Sequence, residues 1–316
     1  RKGWHPETMQ TKGDSDSVLV VGAGPAGLEA TRALGLRGYQ VVLAEASTAI
    51  GGRVAKERLL PGLAAWGRVA DYREYQISQM QNVTVYRDNN LSADDILEFG
   101  FEHVVLATGS SWRNDGVARV HLKPMPNDQS LPVYTPDDLM TGNQPKGHVV
   151  LFDDDHYYMG GVIAELLVNN GATVTLVTPA AYVSEWTNNT LEQATIHRKL
   201  VNLGIEIVLN RSVTEIANGQ VVTECVYSGQ KQYLQASAVT MVTSRVGNDA
   251  LWNELITREG EWASHGVQSI KLIGDAESPA PIAWATYAGH RYARELDMPD
   301  IGDDLPFRRE VAQLKY

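Results

Sequence analysis

Apolar residues switch between two periods along this chain, and the switches outline its elements. Val18 to Val21 is a short β-branched run that reads as a strand, and from Pro25 to about Leu36 apolar residues recur at helical spacing until Gly38 stops them. Val41 to Ala44 is the next strand, closing a strand–helix–strand unit of about 30 residues that should be parallel and right-handed. A helical stretch over Trp66 to Met80 leads to a strand at Val83 to Tyr86. A further apolar strand, His103 to Ala107, ends in Thr108-Gly109-Ser110, and strand ends of this kind line ligand crevices.

The plan then recurs. Val149 to Phe152, a helix from about Gly161 to Asn169, Gly171 and the strand Thr173 to Val177 repeat the order strand, helix, glycine, strand. Strands over Glu206 to Leu209, Val221 to Tyr227 and Ala238 to Val242 follow. A last strand, Ile270 to Ile273, ends in Gly274-Asp275 before a helix from about Ile282 to Glu295. The five prolines between Pro124 and Pro145 suit a crossing between domains, with a boundary near Lys146. The fold class is α/β, with two Rossmann-like dinucleotide-binding domains, the second inserted into the first. Residues 1–146 and 247–316 form the outer domain and 147–246 the inserted one.

Composition narrows the partners. The 316 residues carry 27 basic and 38 acidic side chains, and a net charge of −11 repels phosphate backbones and anionic lipid, so neither nucleic acid nor membrane is an expected partner. No apolar run approaches the roughly 20 residues of a spanning helix and no signal-peptide pattern opens the chain, which makes a cytoplasmic location the expectation. Cys225 is the single cysteine, so the chain has no internal disulfide and cannot alone supply the thiolates of a zinc or iron–sulfur site. The Asn82, Asn90, Asn188 and Asn210 sequons are short chance patterns. The polar opening from Arg1 to Ser17 reads as a linker from something upstream or as a frayed end.

The chemistry concentrates in Gly22-Ala23-Gly24-Pro25-Ala26-Gly27, between a strand and a helix. The first glycine permits the tight turn, the second lets backbone approach a pyrophosphate, and the third lets the helix pack on its strand. Amides at the helix start, with the positive end of its dipole, then face the phosphates. Glu45 ends the second strand about 20 residues on, where a carboxylate accepts both hydroxyls of an adenosine ribose and repels a 2′-phosphate. The expected ligand is ADP or the matching half of FAD. Gly51-Gly52-Arg53, Thr108-Gly109 and Gly274-Asp275 are each short enough to be ordinary turns when taken alone.

The second unit lacks such a loop. After Phe152 it reads Asp153-Asp154-Asp155-His156-Tyr157-Tyr158-Met159-Gly160-Gly161. Carboxylates here would face a pyrophosphate, and one like-charge pair near 4 Å costs on the order of 4 kcal/mol at an effective dielectric near 20. Consecutive acidic residues rarely converge on one ion, so no metal is expected and a vestigial cofactor pocket fits best. Trp66, Arg68 and Tyr72 could dock a redox partner, although aromatics at helical spacing are more often core. His197 and His290 read as structural or exposed, and Cys225 as a small buried hydrophobe.

In this order, Gly22 to Gly27, Gly51-Gly52, Ala107-Thr108-Gly109 and Gly274-Asp275 resemble the two-dinucleotide-domain flavoproteins of the glutathione reductase type. More narrowly, Arg1-Lys2-Gly3-Trp4-His5-Pro6-Glu7, Asp71-Tyr72-Arg73-Glu74, Leu251-Trp252-Asn253-Glu254-Leu255 and Ile273-Gly274-Asp275-Ala276-Glu277 resemble the C-terminal part of the trimethylamine, dimethylamine and histamine dehydrogenase family. In that family a preceding TIM barrel carries covalently attached FMN and a four-cysteine 4Fe–4S cluster, neither of which falls in these 316 residues. The resemblance implies amine oxidation at that flavin, electrons passing through the cluster to an electron-transferring flavoprotein, and a homo-oligomeric intact enzyme. It further implies ADP held here, where relatives such as 2,4-dienoyl-CoA reductase use a similar region in electron transfer from NADPH.

Carried over by motif, Gly22, Gly24 and Gly27 meet the diphosphate and Glu45 the ribose, while Gly51, Gly52, Thr108, Gly109 and Asp275 line the same crevice. Pro25, Ala26, Ala46, Arg53 and Gly274 complete the cofactor-binding set. FAD enzymes use the aspartate of Gly-Asp for the ribityl chain, so Asp275 fits FAD as well as ADP. The resemblance implies no catalytic residue in this chain, and the alternative is a free-standing FAD-dependent oxidoreductase.

Overall fold

A computed structural model describes residues 9–298; the Arg1 to Glu7 motif lies outside them. By packing, the described residues separate into two units, one made of 9–55, 68–109 and 247–298, the other of 56–67 and 110–246. Lys146 falls inside the second unit. Val133–Tyr134 pairs there with Ala238–Val242, which ties the proline-rich stretch to the inserted sheet rather than leaving it as a crossing.

The first unit is built on a parallel sheet of five strands in the order Ser269–Leu272, His103–Leu106, Ser17–Val21, Gln40–Ala44, Val83–Tyr86. Its central strands are apolar on both faces, as a sheet covered by helices requires. The helix Pro25–Arg37 packs Leu28, Ala30, Ala33 and Leu34 against one face and also meets the Ile282–Glu295 helix. Gly38, at φ 98°, ends the first of these helices in a left-handed cap. The approach of the two helices is close: a Cβ on Gly289 would lie 2.1 Å from the Ala26 carbonyl oxygen.

The second unit repeats the arrangement with a parallel sheet in the order Val133–Tyr134, Ala238–Val242, His148–Asp153, Thr173–Val177, Glu206–Val208. A three-stranded antiparallel meander, Arg211–Ala217, Gln220–Cys225 and Lys231–Gln235, is appended. In each unit the strand order reverses beside the first strand of the strand–helix–strand repeat. Such a reversal is where a crevice can form at the strand's carboxyl end, a position that falls beyond Val21 in one unit and at Asp153 in the other.

Two sequence-based boundaries shift, and one burial expectation fails. The stretch from Trp66 to Met80 divides into a 3₁₀ turn, Ala64–Gly67, and a helix, Arg68–Ser78, because the chain leaves one packing unit and enters the other between Gly67 and Arg68. The helix expected from Gly161 begins at Tyr158, since Gly160 and Gly161 sit within its first turn. Tyr72 is not core: it is 53% exposed, on the solvent side of the Arg68–Ser78 helix.

Candidate nucleotide site

The loop after Val21 is shaped by contacts that only glycine permits. Gly22 has φ 101°, and a Cβ there would lie 2.4 Å from the Ala107 carbonyl oxygen; one on Gly27 would lie 1.9 Å from the Gly22 carbonyl oxygen. Gly24 differs. A Cβ added to it would meet only the Gly52 Cα, 4.0 Å away, so the absence of a side chain leaves space that protein does not fill. That space adjoins the start of the Pro25–Arg37 helix, which has Pro25 in its first turn, no side-chain cap among the described residues and no acidic residue there. An uncapped helix start beside an open cleft favours an anion.

The other sequence-derived positions gather around this cleft. Gly51 donates its amide to the Ala23 carbonyl at 2.9 Å, seating Gly51-Gly52-Arg53 on the glycine loop. Glu45 is 9% exposed; its Oε2 accepts from the Ala23 amide at 2.7 Å and its Oε1 from the Ser47 amide and hydroxyl at 2.9 and 2.7 Å. Its carboxylate is thus held at the rim of the loop, with Ala46 exposed beside it. Gly274, at φ 66°, rests on Ala26, and the Asp275 carboxylate meets Arg53 Nε at 3.0 Å.

Thr108 and Gly109 are fixed by a residue the sequence reading missed. The Thr108 hydroxyl donates to the Asn248 carbonyl at 2.6 Å, the Asn248 amide donates to the Gly109 carbonyl at 2.9 Å, and its side-chain amide donates to the Thr108 carbonyl at 3.1 Å. Ser47 was likewise missed. A cavity of about 910 Å³ also flanks the Ser269–Leu272 strand and the Ile282–Glu295 helix, but Gly274 is the one glycine of the set that lines it, so it is separate from the space at Gly24.

The equivalent position in the second unit is filled from within. Asp153 is fully buried, accepts the His156 amide at 3.1 Å and lies so close to the start of the Tyr158–Asn169 helix that a Cβ on Gly160 would sit 2.4 Å from its carboxylate. Burial, joined by the negative charge of Asp155, pushes the Asp153 carboxyl up to about 7. Burial likewise raises Asp155. Burial works to lower the His156 imidazole, yet its bond to Asp154, with the charges of Asp153 and Asp154, leaves it raised. Asp154 itself accepts the Arg119 and Val120 amides at 2.8 and 3.0 Å. Tyr157, Tyr158 and Trp66 stack edge to face over the helix start. No group of ligands able to hold a metal ion occurs among the described residues.

Elsewhere, His290 bonds the buried Glu29 at 2.9 Å and is structural. Cys225 is not the buried hydrophobe expected: it lies half-buried beside a turn, where a hydrogen bond with Ser228 lowers its thiol to about 7.

Two crevices at strand-order reversals, one open and one closed, define the class as a two-unit fold of the pyridine nucleotide-disulphide oxidoreductase type. Residues 16–150 match the pyridine nucleotide-disulphide oxidoreductase family and residues 134–254 the OYE-like second alpha/beta domain. Thioredoxin reductase from T. acidophilum shares the fold, with a TM-score of 0.55 at 14% identity, over 87% of this chain and 95% of its own.

Histamine dehydrogenase from Rhizobium sp. 4-9 is 65% identical over 100% of this chain and 49% of its own, with a TM-score of 0.96. An amine oxidase for 6-hydroxypseudooxynicotine from Pseudomonas geniculata N1 is 41% identical over 93% of this chain and 44% of its own, with a TM-score of 0.89. Dimethylamine dehydrogenase from Hyphomicrobium sp. (strain x) is 35% identical over 98% of this chain and 46% of its own. The chain belongs to the dimethylamine and histamine dehydrogenase family and carries its nucleotide-binding fold. It spans about half the length of these relatives.

Proposed function

We propose that this chain is the nucleotide-binding part of a larger amine dehydrogenase, in which the first unit holds ADP as a structural nucleotide and the second takes no NAD(P)H. One observation carries the reading. Of two equivalent crevices, one keeps an open space at Gly24 beside a helix start with Glu45 at its rim, whereas the other is filled by the Asp153 carboxylate. A reductase passing hydride between cofactors needs both.

The coverage of the relatives supports a parent about twice this length. In that parent the amine is oxidised at FMN in a preceding barrel, and electrons leave through a 4Fe–4S cluster to an electron-transferring flavoprotein. The nucleotide-binding part assembles on that barrel in a cytoplasmic homo-oligomer. Its own residues bind and position the nucleotide and carry no catalytic step.

Denaturing the purified chain and chromatographing the supernatant tests this. ADP from a colourless protein is the expected outcome. FAD from a yellow protein supports instead a free-standing FAD-dependent oxidoreductase, a reading the intact Gly274-Asp275 strand end favours. Release of neither leaves an interaction domain. Titration with NADH and NADPH is expected to give no micromolar binding, and such affinity for either would overturn the assignment of the second unit.

A further inference from the structure

The two residues at the far side of the phosphate cleft are joined to each other. Gly52 lies against Gly24, and Gly274 lies against Ala26. The next residue of each pair, Arg53 and Asp275, forms an ion pair of 3.0 Å, with side chains only 18% and 7% exposed. Arg53 also donates to the Ala280 carbonyl at 3.0 Å, and the Ala280 amide donates to Asp275 Oδ1 at 3.2 Å. The pair therefore bridges the two lips of the crevice beside the helix start, and both Asp275 oxygens are engaged.

We propose that the Arg53–Asp275 bridge makes the site selective for a nucleoside diphosphate over a dinucleotide. The inference rests on the assignment of the cleft to an adenine nucleotide and names what fixes its preference. Two effects point the same way. A ribityl chain seeking Asp275 has to displace a largely buried guanidinium, and separating one partner of such a pair is costly. A terminal phosphate has its second ionisation near pH 6, so at neutral pH it carries more negative charge than either phosphate of a pyrophosphate diester. The guanidinium carries five N–H donors in a planar fork suited to phosphate, so one arginine can meet several acceptors at once. ADP ends at the bridge; FAD has to pass it.

Calorimetric titration of the nucleotide-depleted 316-residue chain with ADP, AMP and FAD reads this directly, in wild type, Arg53→Gln and Arg53→Lys. Wild type is expected to bind ADP more tightly than AMP or FAD. Arg53→Gln is expected to weaken ADP on the order of 10- to 100-fold, the size of one charge-assisted hydrogen bond, while changing AMP by less than about twofold. Arg53→Lys keeps the charge without the fork and is expected to recover only part of the ADP affinity lost in Arg53→Gln, again with little change for AMP, a graded and ADP-specific response that a purely structural role for Arg53 would not give. An equal loss of AMP and ADP in Arg53→Gln, or FAD binding as tightly as ADP in wild type, overturns the selectivity and leaves the adenine-nucleotide site standing. Binding of none of the three by wild type overturns the site itself.

Discussion

Two buried carboxylates show how environment sets opposite pH dependences in one chain. Burial pushes the Glu29 carboxyl up, but hydrogen bonds from His290 and Arg32, with the charges of Arg32 and Arg73, bring it down to about 2. A carboxyl depressed in this way adds stability that is present above its unfolded value of 4.5 and lost as pH falls toward 2. Glu29→Gln should therefore cost about 3 kcal/mol at pH 7 in urea unfolding, with the deficit shrinking toward pH 2. Asp153 has the reverse sign. Its carboxyl is raised from 3.8 to about 7, so the native state is favoured below pH 3.8 and loses up to about 4 kcal/mol as pH rises through 7. Asp153→Asn should be more stable than wild type at pH 8 and nearly equal to it at pH 4. A difference that is the same at both values would contradict the buried, raised carboxyl.

At the scale of elements, the approach of the Pro25–Arg37 and Ile282–Glu295 helices depends on one missing methyl group. Gly289→Ala places a carbon 2.1 Å from the Ala26 carbonyl oxygen and 2.9 Å from the Ala30 nitrogen, and neither is the end of a flexible side chain. The helices have to separate, at a cost of about 1–3 kcal/mol. Because the first helix begins at the glycine loop, ADP affinity should fall as well. Gly38→Ala is the control: no atom lies within 4 Å of the added methyl, and only the left-handed backbone, about 1 kcal/mol, is penalised. Equal melting temperatures for wild type and Gly289→Ala would refute the close approach.

These elements differ in how plainly the sequence carries them. The helix after Gly24 could be read to within a residue because Pro25 and Gly38 punctuate both ends. The strands Arg211–Ala217 and Lys231–Gln235 went unread: the second is almost wholly exposed, so no apolar alternation marks it. The glycine loop was legible because its demands are made on the backbone. Asn248 was not, because it reaches Thr108 across 140 residues of sequence, and nothing local to Arg245-Val246-Gly247-Asn248 signals a partner that distant. The first turn of the Tyr158–Asn169 helix was hidden for a related reason, since Gly160 is tolerated there by the tertiary approach of Asp153.

For the whole molecule, an open crevice in one unit and a filled one in the other predict that the ADP proposed for the first unit acts locally. At 100 times its dissociation constant ADP should add about 2.7 kcal/mol of stability to the state that binds it. Hydrogen exchange followed by mass spectrometry should show slowed amides over 22–28 and 45–53 and little change over 153–161. Comparable protection of 153–161 would assign a nucleotide to the second unit.

The first unit is also discontinuous, and that has a consequence for how it is made. Its strand His103–Leu106 pairs on one side with Ser269–Leu272, and His103 and Ser269 are 166 residues apart, with most of the second unit between them. At a ribosomal rate of about 5–20 residues per second, the later strand emerges roughly 8–30 s after the earlier one. Throughout that interval the four preceding strands can assemble, but the flank of His103–Leu106 presents unpaired amides and carbonyls on a segment that is apolar from Val104 to Leu106. Biosynthesis of this unit thus includes a waiting period set by the length of its insert, during which the nascent chain is most exposed to pairing with another copy.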